Sequence, residues 1–411
     1  MRNNSFYSRF AGIIGNVLEH YDTALFALLA PFIAPLFFDN RDPLTALILT
    51  YGMLPLGMLA RPVGSLFFGW IGDRFGRRQA LFCSLFGMAL ATVCIGSLPT
   101  YRPVGSLAPV LLALGRLLQN FFAAGEATGG AIFVLEQTHS TKRGLISSLY
   151  DASSVGGILI ASGLVTWFSY LGTIDQMWRV LFWAGGFTAV FGFFFRLKTV
   201  DTGEFVRSKD FFNGLKEQKR ALISIVLASG FSYTTYSFAF TLMNGYIPLV
   251  TSIGRSDVMK VNTALLVVDM FLLPCFGYLA NRFSKERVML FGAVSSAVTA
   301  IPLFYLLGGA TSLGTVIGVR LAIVFFGVAF AAPYHAWALE QVPPQSRYTV
   351  LSLGYTLGSQ LIGAPASAIC LCLYKQIGWS AAPGLYLLGV SLAAMYVVTV
   401  SAKIKLSTKV N

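Results

Sequence analysis

Twelve apolar runs, separated by short polar stretches, organise this chain from end to end. They lie near 9–37, 45–70, 79–98, 107–135, 149–171, 178–196, 220–250, 257–280, 288–308, 313–338, 348–374 and 380–402. Each approaches or exceeds the roughly 20 residues with which a helix crosses hydrocarbon, and the longer ones are expected to tilt or to extend beyond the lipid. One long polar stretch away from the termini, 198–219, leaves six runs on either side. The pattern predicts an all-α polytopic membrane protein of twelve transmembrane helices. Two six-helix bundles, 1–197 and 220–411, are expected, with 198–219 as a cytoplasmic linker that carries no chemistry of its own.

The two halves repeat each other. At an offset of 204, Arg116-Leu117 aligns with Arg320-Leu321, Phe121-Phe122 with Phe325-Phe326, Leu135-Glu136-Gln137 with Leu339-Glu340-Gln341, and Arg143 with Arg347. At an offset of 208, Asp73-Arg74-Phe75 aligns with Asn281-Arg282-Phe283. Duplicated halves mark transporters whose repeats rock about a central site. The duplication also sorts residues: features in both halves suit gating or packing, and features in one half alone suit solute and ion.

Composition agrees with a bilayer. Apolar residues make up 55% and charged residues 11%, against roughly a quarter charged in a soluble chain. Mean hydropathy is +0.69. The formal net charge of +13 raises the question of nucleic acid, and the placement of the basic residues answers it. With the N-terminus inside, inward segments and adjoining run ends hold 21 Lys and Arg residues, outward ones 6, and three (Arg61, Arg116, Arg320) fall deep within runs. That bias is the positive-inside signal, so both termini are expected in the cytoplasm and no nucleic-acid partner is expected. Met1 to Arg9 is short and polar and no small-residue cleavage site follows, which reads as an uncleaved first helix. The five cysteines lie in apolar runs, and Cys370 and Cys372, two apart on a helix, point in different directions. Neither a disulfide framework, a metal site nor a cofactor is expected.

The polar turns carry the clearest motif. After the second run comes Gly69-Trp70-Ile71-Gly72-Asp73-Arg74-Phe75-Gly76-Arg77-Arg78. Glycines permit a tight turn, Asp73 can cap a helix N-terminus, and Arg74, Arg77 and Arg78 can reach carboxylates at neighbouring helix ends. This run resembles the signature loop of the major facilitator superfamily, where it forms part of the cytoplasmic gate. The second copy, around Arg282, has Asn281 for the acid and Ser284 for the glycine. Glu136 and Glu340 end the fourth and tenth runs, with Arg143 and Arg347 seven residues on. These are expected to form inner salt bridges that break on opening; capping at a membrane boundary is the plainer alternative.

Ionisable groups inside the runs point to coupling, because each costs several kcal/mol in lipid. The first run holds Asn16, Glu19, His20, Tyr21 and Asp22. Glu19 and Asp22 are three apart on one helix, and two carboxylates so placed in a low dielectric are expected to share a proton. An ion pair with Arg61 or Arg116 is the structural alternative. In the fourth run Gln119 and Glu126, seven apart, point the same way, with Arg116 about a turn from Gln119. Glu126 has Phe330 in its place in the second half, whereas Arg116 has Arg320. Glu126 is therefore the better coupling candidate.

Here the resemblance narrows. Glu19-His20-Tyr21-Asp22, Arg61-Pro62-Val63-Gly64, Gly125-Glu126-Ala127-Thr128-Gly129-Gly130, Lys142-Arg143-Gly144 and Trp178-Arg179 are similar to the metabolite:proton symporter branch. That branch imports osmoprotectants such as proline and glycine betaine, dicarboxylates, citrate and shikimate, and the second to fifth runs look most like its proline/betaine members. Similarity is dense over 10–205 and thin beyond. His20 stands where the family usually has Trp. Osmosensing members carry a long C-terminal coiled coil that these 411 residues do not show, so no osmotic activation is expected.

The seventh run reads Ser232-Tyr233-Thr234-Thr235-Tyr236-Ser237-Phe238, too polar to face lipid. Tyr233 and Tyr236, with Tyr21, Tyr334 and Trp337, would form a box for a quaternary ammonium group; ordinary aromatic filling is the competing reading. His335, Asp269 and Asp151 receive no role from the sequence. No His-Glu-x-x-His or Gly-x-Ser-x-Gly motif suggests an enzyme. A major-facilitator exporter is the closer rival, and the absence of a Gly-Pro pair from Ser154-Val155-Gly156-Gly157-Ile158-Leu159 favours import. The expectation is a monomeric proton-coupled symporter of a bacterial-type inner membrane. Its solute would be a small polar metabolite, either a proline- or betaine-like zwitterion or a carboxylate.

Overall fold

The computed structural model describes residues 2–38, 57–197, 215–310 and 312–410. The start of the second run, 45–56, lies outside the described residues, as does most of the linker, 198–214. Over its described part every one of the twelve runs is largely helical. In chain order these are α1 (Arg2–Phe37), α2 (Ala60–Arg74), α3 (Arg77–Ser97), α4 (Leu107–Glu136), α5 (Arg143–Tyr170) and α6 (Ile174–Leu197). The second six are α7 (Lys219–Val250), α8 (Arg255–Arg282), α9 (Lys285–Gly308), α10 (Leu313–Leu339), α11 (Arg347–Ile377) and α12 (Ala382–Val410). Among the described residues there is no strand, and nine helices are long and apolar enough to cross a membrane. Backbone polar groups in hydrocarbon must be satisfied within the segment, so helices are the available solution.

Local chemistry sets the breaks. Gly76 turns the chain between α2 and α3 at φ 119°, a conformation that residues with a Cβ rarely adopt. Pro333 cannot donate to the ladder, and α10 breaks there before resuming as the short segment Tyr334–Leu339. Two π-helical insertions, Phe238–Leu242 in α7 and Ser359–Gly363 in α11, locally widen their helices.

The chain forms two compact units. The first comprises Met1–Gln137, Ser153–Gly214 and Pro344–Leu353; the second comprises Thr138–Ala152, Leu215–Pro343 and Gly354–Asn411. The first ten residues of α5 therefore belong with the second unit, and the first seven of α11 with the first.

In the first unit α1 supplies a stripe, Leu25, Leu29, Ile33 and Phe37, all fully buried against Leu112, Trp178 and Phe182. Its i, i+4 spacing lays it along one face, and Phe37 meets Trp178 edge-on at 5.7 Å between ring centroids. On α4 the pattern is inverted: Val110, Leu114 and Leu118 are about half exposed while Arg116, Gln119 and Asn120 are buried. In water that would be inside out. For a helix with lipid on one side it is the expected sense, since lipid tails accept apolar side chains as readily as a core does. In the second unit Phe231 packs on Phe330 at 4.6 Å and Phe238 on Phe304 at 5.6 Å.

Candidate functional site

The turn after α2 builds the first polar network, within the first unit. Asp73 Oδ1 accepts from Tyr348 N at 3.0 Å and Asp73 Oδ2 accepts from Thr349 N at 2.9 Å. These are orphan amides at the start of α11, where a carboxylate also meets the positive end of the helix dipole. Arg77 pairs with Asp73, donates to Gly72 O at 2.8 Å and to Pro344 O at 2.7 Å, and stands 3.5 Å from Glu136. Glu136 in turn accepts from Arg347 at 2.9 Å. The Tyr348 hydroxyl donates to Gly125 O at 2.6 Å. Arg74 lies over Trp70 and Phe75.

The second unit repeats the device with a neutral acceptor. Asn281 Oδ1 accepts from Gly144 N at 2.9 Å and Leu145 N at 3.4 Å, at the start of α5. Loss of the acid in this copy has thus not removed the helix cap, because an amide carbonyl serves the same amides. Ser284, at the position of Gly76, takes φ 152° and caps α9 by accepting from Arg287 N. Glu340 pairs with Lys285 at 2.6 Å, Arg143 donates to Thr138 O at 3.1 Å, and Arg282 lies over Phe283. Lys285 was not singled out in the sequence.

Deeper in the first unit, α1 presents its two acids to different helices. Glu19 Oε2 stands 2.7 Å from His20 Nδ1, and Glu19 Oε1 stands 3.3 Å from Arg61 Nη2. Arg61 Nε donates to Asn120 Oδ1 at 3.0 Å, and Asn120 Nδ2 donates to Arg116 O. Asp22 turns instead to α3, where Thr92 Oγ1 donates to Asp22 Oδ2 at 2.9 Å. Gln119 Nε2 donates to Thr92 Oγ1 at 2.7 Å, and Arg116 donates to Gln119 Oε1. Glu19 and Asp22 each have their own hydrogen-bonding partners, since three positions along a helix separate them by about 60° around the axis. Between Asp22 and Arg116 stand two neutral side chains, Thr92 and Gln119. Asp22 Oδ1 and Arg116 Nε are buried without a hydrogen bond, and Arg116 stacks on Phe26 at 4.1 Å. A buried acid and a buried base held apart by a neutral relay can take up or release a proton without breaking a direct ion pair. Thr92, Phe26 and Asn120 went unnoticed in the sequence because neutral or apolar residues carry no cost signal. Glu126 is fully buried on α4, beside the Gly125 carbonyl that binds Tyr348.

The aromatic candidates divide. Tyr21 belongs to the first unit and donates to Leu181 O at 3.0 Å. Tyr233, Tyr236, Tyr334 and Trp337 belong to the second. Trp337 is fully buried and donates its indole N–H to Ser401 Oγ at 3.2 Å. Tyr334 packs on Trp337, His335 and Tyr355, Tyr236 packs on Phe240, and Tyr233 lies against Gly363. Arg320, the counterpart of Arg116, donates from its two terminal nitrogens to neutral acceptors: Ala239 O at 2.7 Å, Asn262 Oδ1 at 2.6 Å and Val258 O at 3.0 Å. Ala239 lies in the π-helical insertion of α7.

Among the described residues the fold is all-helical and lipid-suited, with capped duplicate turns and buried charges, as a membrane transporter built from two repeats requires. The family model described as sugar (and other) transporter matches residues 9–214, half of the chain, and the chain belongs to that family. It is a polytopic membrane transporter and not an enzyme. Among solved structures it is similar to the major facilitator proton:xylose symporter XylE, with a TM-score of 0.73 at 16% identity over 98% of this chain and 96% of that one. It is also similar to the major facilitator transporter FucP, with a TM-score of 0.75 at 12% identity over 96% and 99% of the two chains. Among curated proteins, the proline/betaine transporter of Escherichia coli is 25% identical, over 94% of this chain and 81% of that protein. A putative proline/betaine transporter of Staphylococcus aureus is 28% identical, over 94% and 86%.

Proposed function

We propose that this protein is a proton-coupled symporter that imports a small polar metabolite by alternating access. The solute is a proline- or betaine-like zwitterion or a carboxylate. The observation that carries this reading is the Asp22–Thr92–Gln119–Arg116 relay, a buried acid and base separated by neutral groups. Glu19, Asp22, Arg116, Gln119 and Glu126 form the coupling and solute-binding set. Tyr21, Tyr233, Tyr236, Tyr334 and Trp337 stand as the aromatic candidates for the solute. Asp73, Arg77, Glu136 and Arg347, with the second copy around Arg282, Glu340 and Arg143, form the cytoplasmic gate. Names of the curated relatives support the solute class, and duplicated turns support the two six-helix bundles 1–197 and 220–411. The protein works as a monomer in a bacterial-type inner membrane with both termini in the cytoplasm, as the basic-residue bias supports.

The test is uptake of labelled proline, glycine betaine, 2-oxoglutarate, citrate and shikimate into proteoliposomes with an imposed pH gradient, acid outside. At least one should accumulate above equilibrium and lose that accumulation with a protonophore. A panel in which nothing accumulates, or in which the gradient drives solute out, ends this reading.

A further inference from the structure

The second unit holds a group of ionisable residues that the coupling set above does not use. His335 Nε2, just after the Pro333 break in α10, stands 3.2 Å from Asp151 Oδ1 on α5. Asp269 lies midway along α8, the helix that packs on the start of α5: Asn281 accepts from Gly144 N at 2.9 Å, and a methyl group at Gly277 would meet Ser148. From there its carboxyl is within electrostatic range of Asp151 and of Tyr236 on α7. Tyrosines enclose the group. The His335 ring meets Tyr150 at 5.8 Å, Tyr334 at 5.1 Å and Tyr355 at 5.8 Å between centroids. Tyr233 lies about one turn from Tyr236 on α7.

Charge does not balance there. Among the described residues neither Asp151 nor Asp269 pairs with a lysine or an arginine. Asp269 is only 6% exposed and accepts no hydrogen bond among the described residues. Two carboxylates therefore face at most one positive charge, and only when His335 is protonated. An unpaired ionised group at such depth is expensive, and the least costly remedy is a bound cation. Tyrosine hydroxyls can donate hydrogen bonds but supply no charge. Of the cations at hand the proton needs no cavity, and an imidazole that can carry one stands beside the Asp151 carboxylate.

We propose that Asp151, Asp269 and His335 form a second proton-binding site, lodged in the second unit and distinct from the acids of α1 and α4. Its consequence for coupling rests on the symporter reading; the binding itself does not. One proton resides on the group and is exchanged with water as the pH is cycled. A solute ammonium group is the other cation those carboxylates would accept.

The test reads protonation directly. Purified protein in detergent, without solute, is stepped between about pH 5 and pH 9 while difference infrared spectra record the protonated-carboxyl band. Wild type should show a titrating band that Asp269→Asn removes and Glu126→Gln retains. His335→Gln should displace its midpoint by roughly one pH unit, because the neighbouring imidazolium charge is gone. Asp269→Glu keeps an acid and should move the band rather than abolish it, which provides the test where the asparagine variant does not purify. Spectra of Asp269→Asn and Asp151→Asn that retain every titrating band of the wild type would overturn the proposal. So would a wild type whose Asp269 stays ionised throughout while Asp269→Asn weakens glycine betaine binding equally at all pH, since that marks an ammonium site. Failure of uptake in the proteoliposome panel leaves these spectra unaffected, so the two readings fail separately.

Discussion

Thr92 shows how much a neutral residue can carry in this molecule. Its hydroxyl donates to Asp22 and accepts from Gln119, joining α1, α3 and α4 at one oxygen. Thr92→Val keeps the shape and removes the oxygen, leaving two buried polar atoms without partners at about 1–3 kcal/mol each. Thermal unfolding in detergent should register that loss, and Thr92→Ser should restore most of it; a valine variant as stable as wild type would mean the relay does not form. Gly185 on α6 is the matching case on the other side of Asp22. A methyl group there would come within 2.3 Å of Asp22 Oδ1. Gly185→Ala should therefore displace the carboxylate and lower initial uptake rates by roughly tenfold or more, as misplaced coupling groups do. Unchanged uptake would show that Asp22 is free to move without consequence.

At the scale of elements, the two turn motifs do the same work with different chemistry. Asp73 divides two amides of α11 between its two oxygens and adds a charge opposite Arg77, whereas Asn281 serves two amides of α5 with one oxygen. Asp73→Asn should therefore keep part of the cap and lose the counter-charge of Arg77. The expected outcome is a fall in kcat with KM little changed, with Asp73→Ala falling further. If Asp73→Asn turned over at the wild-type rate, the gate assignment would be wrong. Helix capping alone is worth about 1 kcal/mol, so a larger effect points to the ion network with Glu136 and Arg347.

For the whole molecule the question is whether proton entry does work. A charge moved inward across 100 mV gains about 2.3 kcal/mol, roughly a 50-fold accumulation. Glu126→Gln should abolish uphill uptake in proteoliposomes while counterflow of the same solute persists in part, because the solute path remains and the proton does not. Should Glu126→Gln still concentrate solute and acidify the lumen, the α4 acid is not the coupling group, and Asp22 takes its place.

The sequence by itself determined the helices, their number of runs and the family's fold, because in lipid the backbone has almost no other choice and each run is read from its own residues. It also marked Glu19, Asp22, Asp73, Glu136 and Arg116, since charge in an apolar run is conspicuous wherever it sits. Only the tertiary structure decided what each charge meets. Glu19 and Asp22 separate because they face different helices, and Thr92, Asn120 and Lys285 enter as partners that sequence position cannot announce. His335 and Asp151 lie 184 positions apart in the chain and 3.2 Å apart in the fold. Hydropathy is a local sum over neighbours in the chain. Pairing depends on which helix faces which, and packing settles that only once the chain has folded.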